Sequence, residues 1–290
     1  MNATAAALVA LIALTLVKAT PLIYAALGGV LSERSGVINI GLEGILIAGA
    51  FTAVAVSGAT GSPVLGAVAG VLAGALLAAI LAFVATRLAV DQIVAGTGLN
   101  IAALAAAAFG LVLIYHQPGA SREVPALGQR GEDVLIVLAL LAAVGLHLAL
   151  ARTPWGLRVR ACGEDPSAAE AAGIDALRTR FIAVVLGGAI AGLGGVFLSL
   201  AELDLYSDGM TAGRGFIALA AVIFGRWTPL GATGAAVVFG ALAALQFVLQ
   251  RTGVSTDLMQ ALPYLAALAA LTGIAGRTRA PQSDGVPYTE

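Results

Sequence analysis

Charge is what this sequence has least of. Only 11% of its 290 residues are Asp, Glu, Lys or Arg, where a soluble domain carries roughly 25%, so a water-soluble globule is excluded. Lysine occurs once, at Lys18, after ALTLV. A phosphate-cradling G-x-x-x-x-G-K-[ST] loop needs its lysine beside a glycine-rich turn, so no standard loop of that kind exists here. Cys162 is the only cysteine, which rules out an intrachain disulfide or a thiolate metal cluster; it reads as a small loop residue. Two histidines, His116 next to a span end and His147 within a span, have no carboxylate at ligand spacing, so a metal site is not expected. No G-x-S-x-G nucleophile motif appears. The basic residues are scattered and the net charge is -1, which gives no basic face for nucleic acid. Enzymatic chemistry within the chain has no support.

What the sequence has is apolar length. A hydrophobic fraction of 60% and a mean hydropathy of +0.99 place it in lipid. A span needs about 20 mostly apolar residues. Candidates run over Ala3–Leu31, Ile40–Val56, Val64–Thr86, Ile93–Tyr115, Val134–Ala151, Phe181–Ala201, Ala232–Gln250 and Met259–Gly276. The fold class expected is an all-α polytopic membrane protein of about 8–10 transmembrane helices, some short or broken. The first run lacks a basic region before it, so it reads as a retained helix, with a kink or break at Pro21. Lys18 within it reads as a lysine that snorkels or lies at a helix end. Phe216–Gly225 is too short to cross as a plain helix, so it is a broken helix or borrows flanking loop residues.

Cytoplasmic loops carry the excess of basic residues. Placing the polar stretch RACGEDPSAAEAAGIDALRTR (Arg160–Arg180) inside, and alternating outward, puts ten arginines inside and Arg122, Arg130, Arg214 and Arg251 outside. The N-terminus then lies outside if the first run crosses once, and inside if Pro21 makes it a hairpin. Gly66, Gly70 and Gly74, with Gly188 and Gly192, recur four apart, a spacing that lets helix backbones approach closely in lipid. AGLGG lies within a span with no strand before it, so a nucleotide loop is not expected there.

The polar stretch reads as RACGED, a turn, then a short helix. Pro166 opens it, Glu164 and Asp165 favour its positive end, and Gly173 stops it. Such a helix between two spans suits docking into a soluble partner, or is a solvated connector. SGVINIGLEG, with Asn39, Glu43 and three glycines at a span start, reads as a gate or as a tight turn before a capped helix. Asn100, Tyr115 and Gln246 are polar groups within or ending spans, available to a translocation path or to a neighbouring helix. The outer acidic segment AELDLYSDGMTAGRG reads as a solvated loop or as a contact for an external protein. Ion-driven carriers usually need ionisable groups at membrane depth; Glu43 and Asp91 are the nearest here, and both lie close to expected inner ends.

SERSGVINIGLEGILIAGAF (Ser32–Phe51), RACGEDPSAAEAAGI (Arg160–Ile174) and FGRWTPLGA (Phe224–Ala232) resemble the permease subunits of bacterial ABC importers of the branched-chain amino acid and simple-sugar superfamily. The likeness is greatest to the second permease of nucleoside and simple-sugar importers that use a basic-membrane-lipoprotein-type binding protein. It runs over nearly the whole chain, including the tail APQSDGVPY. It implies a multi-pass protein of the bacterial cytoplasmic membrane, with a permease domain over residues 1–277, a cytoplasmic ATPase-docking loop at 152–180 and a cytoplasmic tail at 278–290. The implied partners are a homologous permease chain, a cytoplasmic ABC ATPase and an extracytoplasmic substrate-binding lipoprotein. No cofactor is implied in this chain; ATP and Mg belong to the partner ATPase. The docking residues carried over are Gly163, Glu164, Asp165, Pro166, Ala168, Ala169, Ala172 and Gly173, with the Ala168–Ala172 face entering the ATPase cleft. The family usually has asparagine where Asp165 stands, and aspartate caps a helix equally well. Gate and path residues are Asn39, Glu43, Asn100, Tyr115 and Gln246. The substrate expected is a nucleoside, with a simple sugar or branched-chain amino acid as alternatives, and an ion-coupled carrier or a membrane scaffold as rival classes.

Overall fold

The computed structural model describes residues 3–249, Leu265 and residues 279–288. Seven of the described helices are long and apolar enough to cross a membrane. The expected span Met259–Gly276 lies outside the described residues apart from Leu265.

Helix α1 runs unbroken over Ala3–Arg34, with Pro21 inside it. The expected break is absent. Proline removes one intrahelical donor, and here helices α8 and α10 pack along α1 and hold the segment helical through the lost bond. A single crossing places the start of α1 at the end opposite Arg34. Lys18 lies well inside the helix rather than at its end, and its Nζ pairs with Glu202.

Helices α2 (Leu42–Thr60), α3 (Pro63–Arg87) and α4 (Gln92–Tyr115) follow the expected spans closely. Ser62 and Asp91 cap α3 and α4 by accepting from backbone N–H groups in the first turn, the usual role of a short polar side chain there. Helix α5 (Gly128–Arg152) begins earlier than expected, its charged start lying within the field of Lys18 and Glu202. RACGED is not a turn. It completes helix α6 (Pro154–Glu164), capped by Thr153 and opened by Pro154, a signature of a helix start. Helix α7 (Pro166–Ala171) follows, with Asp165 at its cap and Gly173 in the left-handed region at φ +83° to end it.

Helix α8 (Ala176–Phe197) continues into a π-helical turn, Leu198–Glu202. It is the central element, packing along α3, α1 and α2. Glycine makes this possible: a Cβ on Gly74 would lie 2.6 Å from the Gly188 carbonyl oxygen and 2.8 Å from Gly192 Cα. Backbones in that contact gain dispersion that lipid cannot supply.

The short apolar segment is a half-helix, α9 (Arg214–Phe224), followed by α10 (Pro229–Leu249). Its missing length is supplied by irregular chain over 203–213. That chain is covered by the α4–α5 connection: Ser121 N donates to Tyr206 O (2.8 Å), Val124 N to Asp204 O (3.0 Å) and Asp208 N to Gly119 O (2.7 Å). Backbone without helix bonds is tolerated at membrane depth only when protein satisfies it in this way. The backbone of the acidic segment is thus paired, while Asp204 and Asp208 remain exposed.

Candidate translocation site

The site begins at the loop between α1 and α2. Ser32 Oγ donates to Val37 O (2.8 Å), and Ile38 N donates to the Gln92 side chain of α4 (2.7 Å). Asn100, further along α4, brackets the turn: its Nδ2 donates to Ile40 O (2.9 Å) while its Oδ1 accepts from Gly44 N (2.7 Å). Gly44 allows the close approach, since a Cβ would sit 3.0 Å from Asn100 Cα. Asn100 lies eight residues into α4, about 12 Å along its axis at ~1.5 Å per residue. Helix α2 therefore starts well above the arginine-rich end.

At that depth Glu43 reaches across to the half-helix. Its Oε1 accepts from Gly213 N (3.0 Å) and its Oε2 from Gly215 N (2.7 Å). The first N–H groups of a helix have no intrahelical partner, and its dipole favours a negative charge. A carboxylate from another helix caps α9 here because its own cap residue, Gly213, has no side chain. Arg214 is fixed beside it by donating to Met210 O (2.6 Å). It is thus a partly buried residue at the start of α9.

Glu43, Ile47, Asn100, Leu104, Thr211 and Phe216 line a cavity of about 300 Å³. Its lining is almost wholly apolar, because the Glu43 carboxylate and the Asn100 amide are already bonded to backbone groups, and such a wall suits the flat or apolar part of a solute. Phe216 and Leu104 are exposed at its margin, so it opens on a face that this chain leaves uncovered.

The structure brings Glu43 and Asn100 together and leaves the other path residues apart. Asn39 is fully buried in the loop with both side-chain polar atoms lacking a hydrogen-bond partner. Tyr115 lies at the far end of α4 beside Val124 and Gly58. Gln246 is half-buried on α10, away from the cavity lining.

The α6–α7 pair lies at the arginine-rich end. Asp165 Oδ1 accepts from Ala168 N (3.0 Å). Glu164 ends α6 instead of capping α7, and its backbone oxygen accepts from Ser283 Oγ (3.0 Å). The Ala168–Ala172 stretch does not present one face. Ala169 is buried against Cys162 and Ala176, while Ala168, Ala171, Ala172 and Gly173 are exposed. Pro166 is buried, and Gly163 is pressed against the Arg34 carbonyl. Cys162 is a buried helix residue rather than a loop residue, and burial pushes its thiol pKa up.

Sequence reasoning missed a buried polar junction at this end. Trp227 Nε1 donates to Glu33 Oε2 (2.5 Å), and Arg34 Nε donates to Trp227 O (2.6 Å). These bonds hold Trp227 at φ +53° in the α9–α10 turn, a conformation that costs a non-glycine residue on the order of 1–3 kcal/mol. Arg180 is also buried and donates to Cys162 O (2.9 Å). Glu33 and Trp227 fall within the stretches that carry the family likeness, but nothing in their spacing tells that they meet.

Residues 11–276 match the family described as branched-chain amino acid transport system, permease component. The chain is 40% identical to the guanosine ABC transporter permease protein NupQ of Bacillus subtilis, over 94% of each chain. It is 35% identical to the nucleoside ABC transporter permease protein NupC of Lactococcus lactis, over 96% of each. It is 33% identical to the putative glucose ABC transporter permease protein TsgC13 of Haloferax volcanii, over 84% of this chain and 78% of that one. No solved structure matches. With its spanning helices and its half-helix, the chain belongs to the permease components of the branched-chain amino acid transport system family, as a multi-pass transport protein of the plasma membrane.

Proposed function

We propose that this chain is the membrane-spanning subunit of an ATP-driven importer that carries nucleosides. The observation that carries the reading is 40% identity, over 94% of both chains, to a guanosine permease. A homologous permease would cover the open face of the cavity, so that the path runs between the two chains. Glu43 fixes α9 at the wall of that path and Asn100 fixes the start of α2. The flat base of a nucleoside would lie against the apolar lining beside Leu104 and Phe216.

The driving ATPase, which holds the ATP and Mg, would dock on α7 through Ala168, Ala171, Ala172 and Gly173. Small exposed side chains let a groove close over the helix. An extracytoplasmic lipoprotein would deliver the solute to the opposite end. A sugar is the second reading, favoured by 33% identity to a putative glucose permease.

Uptake of radiolabelled uridine, adenosine, ribose and leucine, in cells carrying the complete importer, tests both parts. Nucleoside uptake that is lost on Ala172→Arg, with the chain still inserted, is the expected result. Ribose uptake without nucleoside uptake would select the sugar reading. Full uptake in Ala172→Arg would remove α7 as the energy contact.

A further inference from the structure

Residues 279–288 are bound to the α6–α7 pair at two points, near Ser283 and at Tyr288. Ser283 N donates to Gly163 O (2.9 Å) and Ser283 Oγ to Glu164 O (3.0 Å). Tyr288 Oη donates to Glu170 Oε2 of α7 (2.7 Å), and the Arg180 guanidinium stands 5.7 Å over its ring. The same ring packs with the small cluster of Cys162, Ala169 and Ala176. Pro281 is buried. Asp284 interacts electrostatically with both Arg180 and Glu33, and Glu33 accepts from Trp227 at the inner end of α9.

Helix α7 needs such support. Its six residues are far fewer than the ~12–15 that make a helix marginally stable alone. Its only buried alanine meets a cysteine and another alanine, which is little apolar surface to hold it. The tail supplies α7 with an aromatic ring and one hydrogen bond, from Tyr288 to Glu170, and is itself held on the end of α6 by the Ser283 bonds. A hydrogen bond joins Glu170 to Tyr288 and the Arg180 guanidinium stands over that ring; electrostatic interactions then link Arg180 to Asp284 and Asp284 to Glu33, which accepts from Trp227. Asp284 Oδ1, Glu33 Oε1 and Arg180 Nε are buried there without hydrogen-bond partners, so the junction has unused bonding capacity and can exchange partners as its parts shift.

We infer that the carboxy-terminal segment 279–288 is a strap that positions α6–α7 against the inner end of the half-helix, so that displacement of α7 is passed to α9. This rests on the reading of α7 as the ATPase-docking helix. Tyr288 and Asp284 act on transport as positioning residues, since neither lines the cavity. A contiguous set of contacts is not by itself coupling, so the test measures coupling.

Cys162, the only cysteine of the chain, lies under Tyr288 and reports the strap. In the purified importer, maleimide modification of the Cys162 peptide is followed by mass spectrometry. ATPase retention and solute moved per ATP hydrolysed are measured in proteoliposomes on the same preparations. Tyr288→Ala should raise Cys162 modification about tenfold, the scale of one lost buried hydrogen bond. It should leave the ATPase bound and lower the transport-to-hydrolysis ratio by about threefold or more. Tyr288→Phe, which keeps the ring, serves if the alanine variant fails to insert; it should move both quantities the same way by a smaller factor. Modification that rises while the ratio stays at the wild-type value would make the strap purely structural and overturn the inference, as would unchanged modification. A wild-type chain that does not retain the ATPase overturns the docking reading and the inference with it, a result separable from the labelling data.

Discussion

Replacing Glu43 by alanine tests the centre of the site. The carboxylate accepts two backbone N–H bonds, from Gly213 and Gly215, and removing it leaves both donors without a partner in a partly buried segment. Each buried orphan costs about 1–3 kcal/mol, so Glu43→Ala should destabilise the chain by about 3–5 kcal/mol. At roughly 2 °C per kcal/mol for a chain of this size, that is a fall of about 6–10 °C in apparent Tm. Glu43→Gln preserves shape but turns an amide donor toward one of the two N–H groups. It should lose about half as much stability and still lower uptake, because α9 is then held at one point. The assay is thermal stability by fluorescence-detected size exclusion, run beside nucleoside uptake. An alanine variant with an unchanged Tm and wild-type uptake would show that Glu43 does not fasten the half-helix.

Three further outcomes are expected. Gly74→Val forces α3 away from α8, since its Cβ would meet the Gly188 carbonyl at 2.6 Å, whereas Gly98 has open space around it; the first should cost about 1–3 kcal/mol and Gly98→Val much less, read by the same thermal assay. Lys18→Met leaves Glu202, a largely buried carboxylate, without its cation and should cost up to about 3 kcal/mol, while adding Glu202→Leu should recover most of the loss. Burial raises the Asp284 carboxyl from 3.8 to about 7 against the opposing pull of Arg180, with Glu33 the neighbouring acid. An acid whose folded pKa is raised binds more protons when docked, so tail docking is strongest below its ordinary range and weakens as pH rises toward 7. The ratio of Cys162 modification in wild type to that in Asp284→Asn should therefore increase from pH 5.5 to pH 8, and a constant ratio would reject the assignment.

Much of this was legible in the residues. Small residues four apart on α3 and α8 announced close helix contact because only glycine leaves room for a facing carbonyl. Phe216–Gly225 announced a broken helix because its apolar run is too short to cross. Pro166 and Gly173 bounded α7, since one fixes the φ of a first turn and the other accepts a left-handed stop. Charge counting said nothing of how the chain before Arg214 is held, because its pairing with residues 119–124 joins segments far apart in sequence.

Sequence by itself determined the solvent of this protein, its spanning helices and its family, because hydropathy, turn chemistry and contiguous motifs are properties of neighbouring residues. Only the tertiary structure decided that Glu43 caps a helix some 170 residues away, that Lys18 finds Glu202, that Ala169 faces inward, and that the tail returns to Glu170. Those contacts join residues far apart in the chain, and their partners are chosen by how helices pack rather than by any local pattern of side chains.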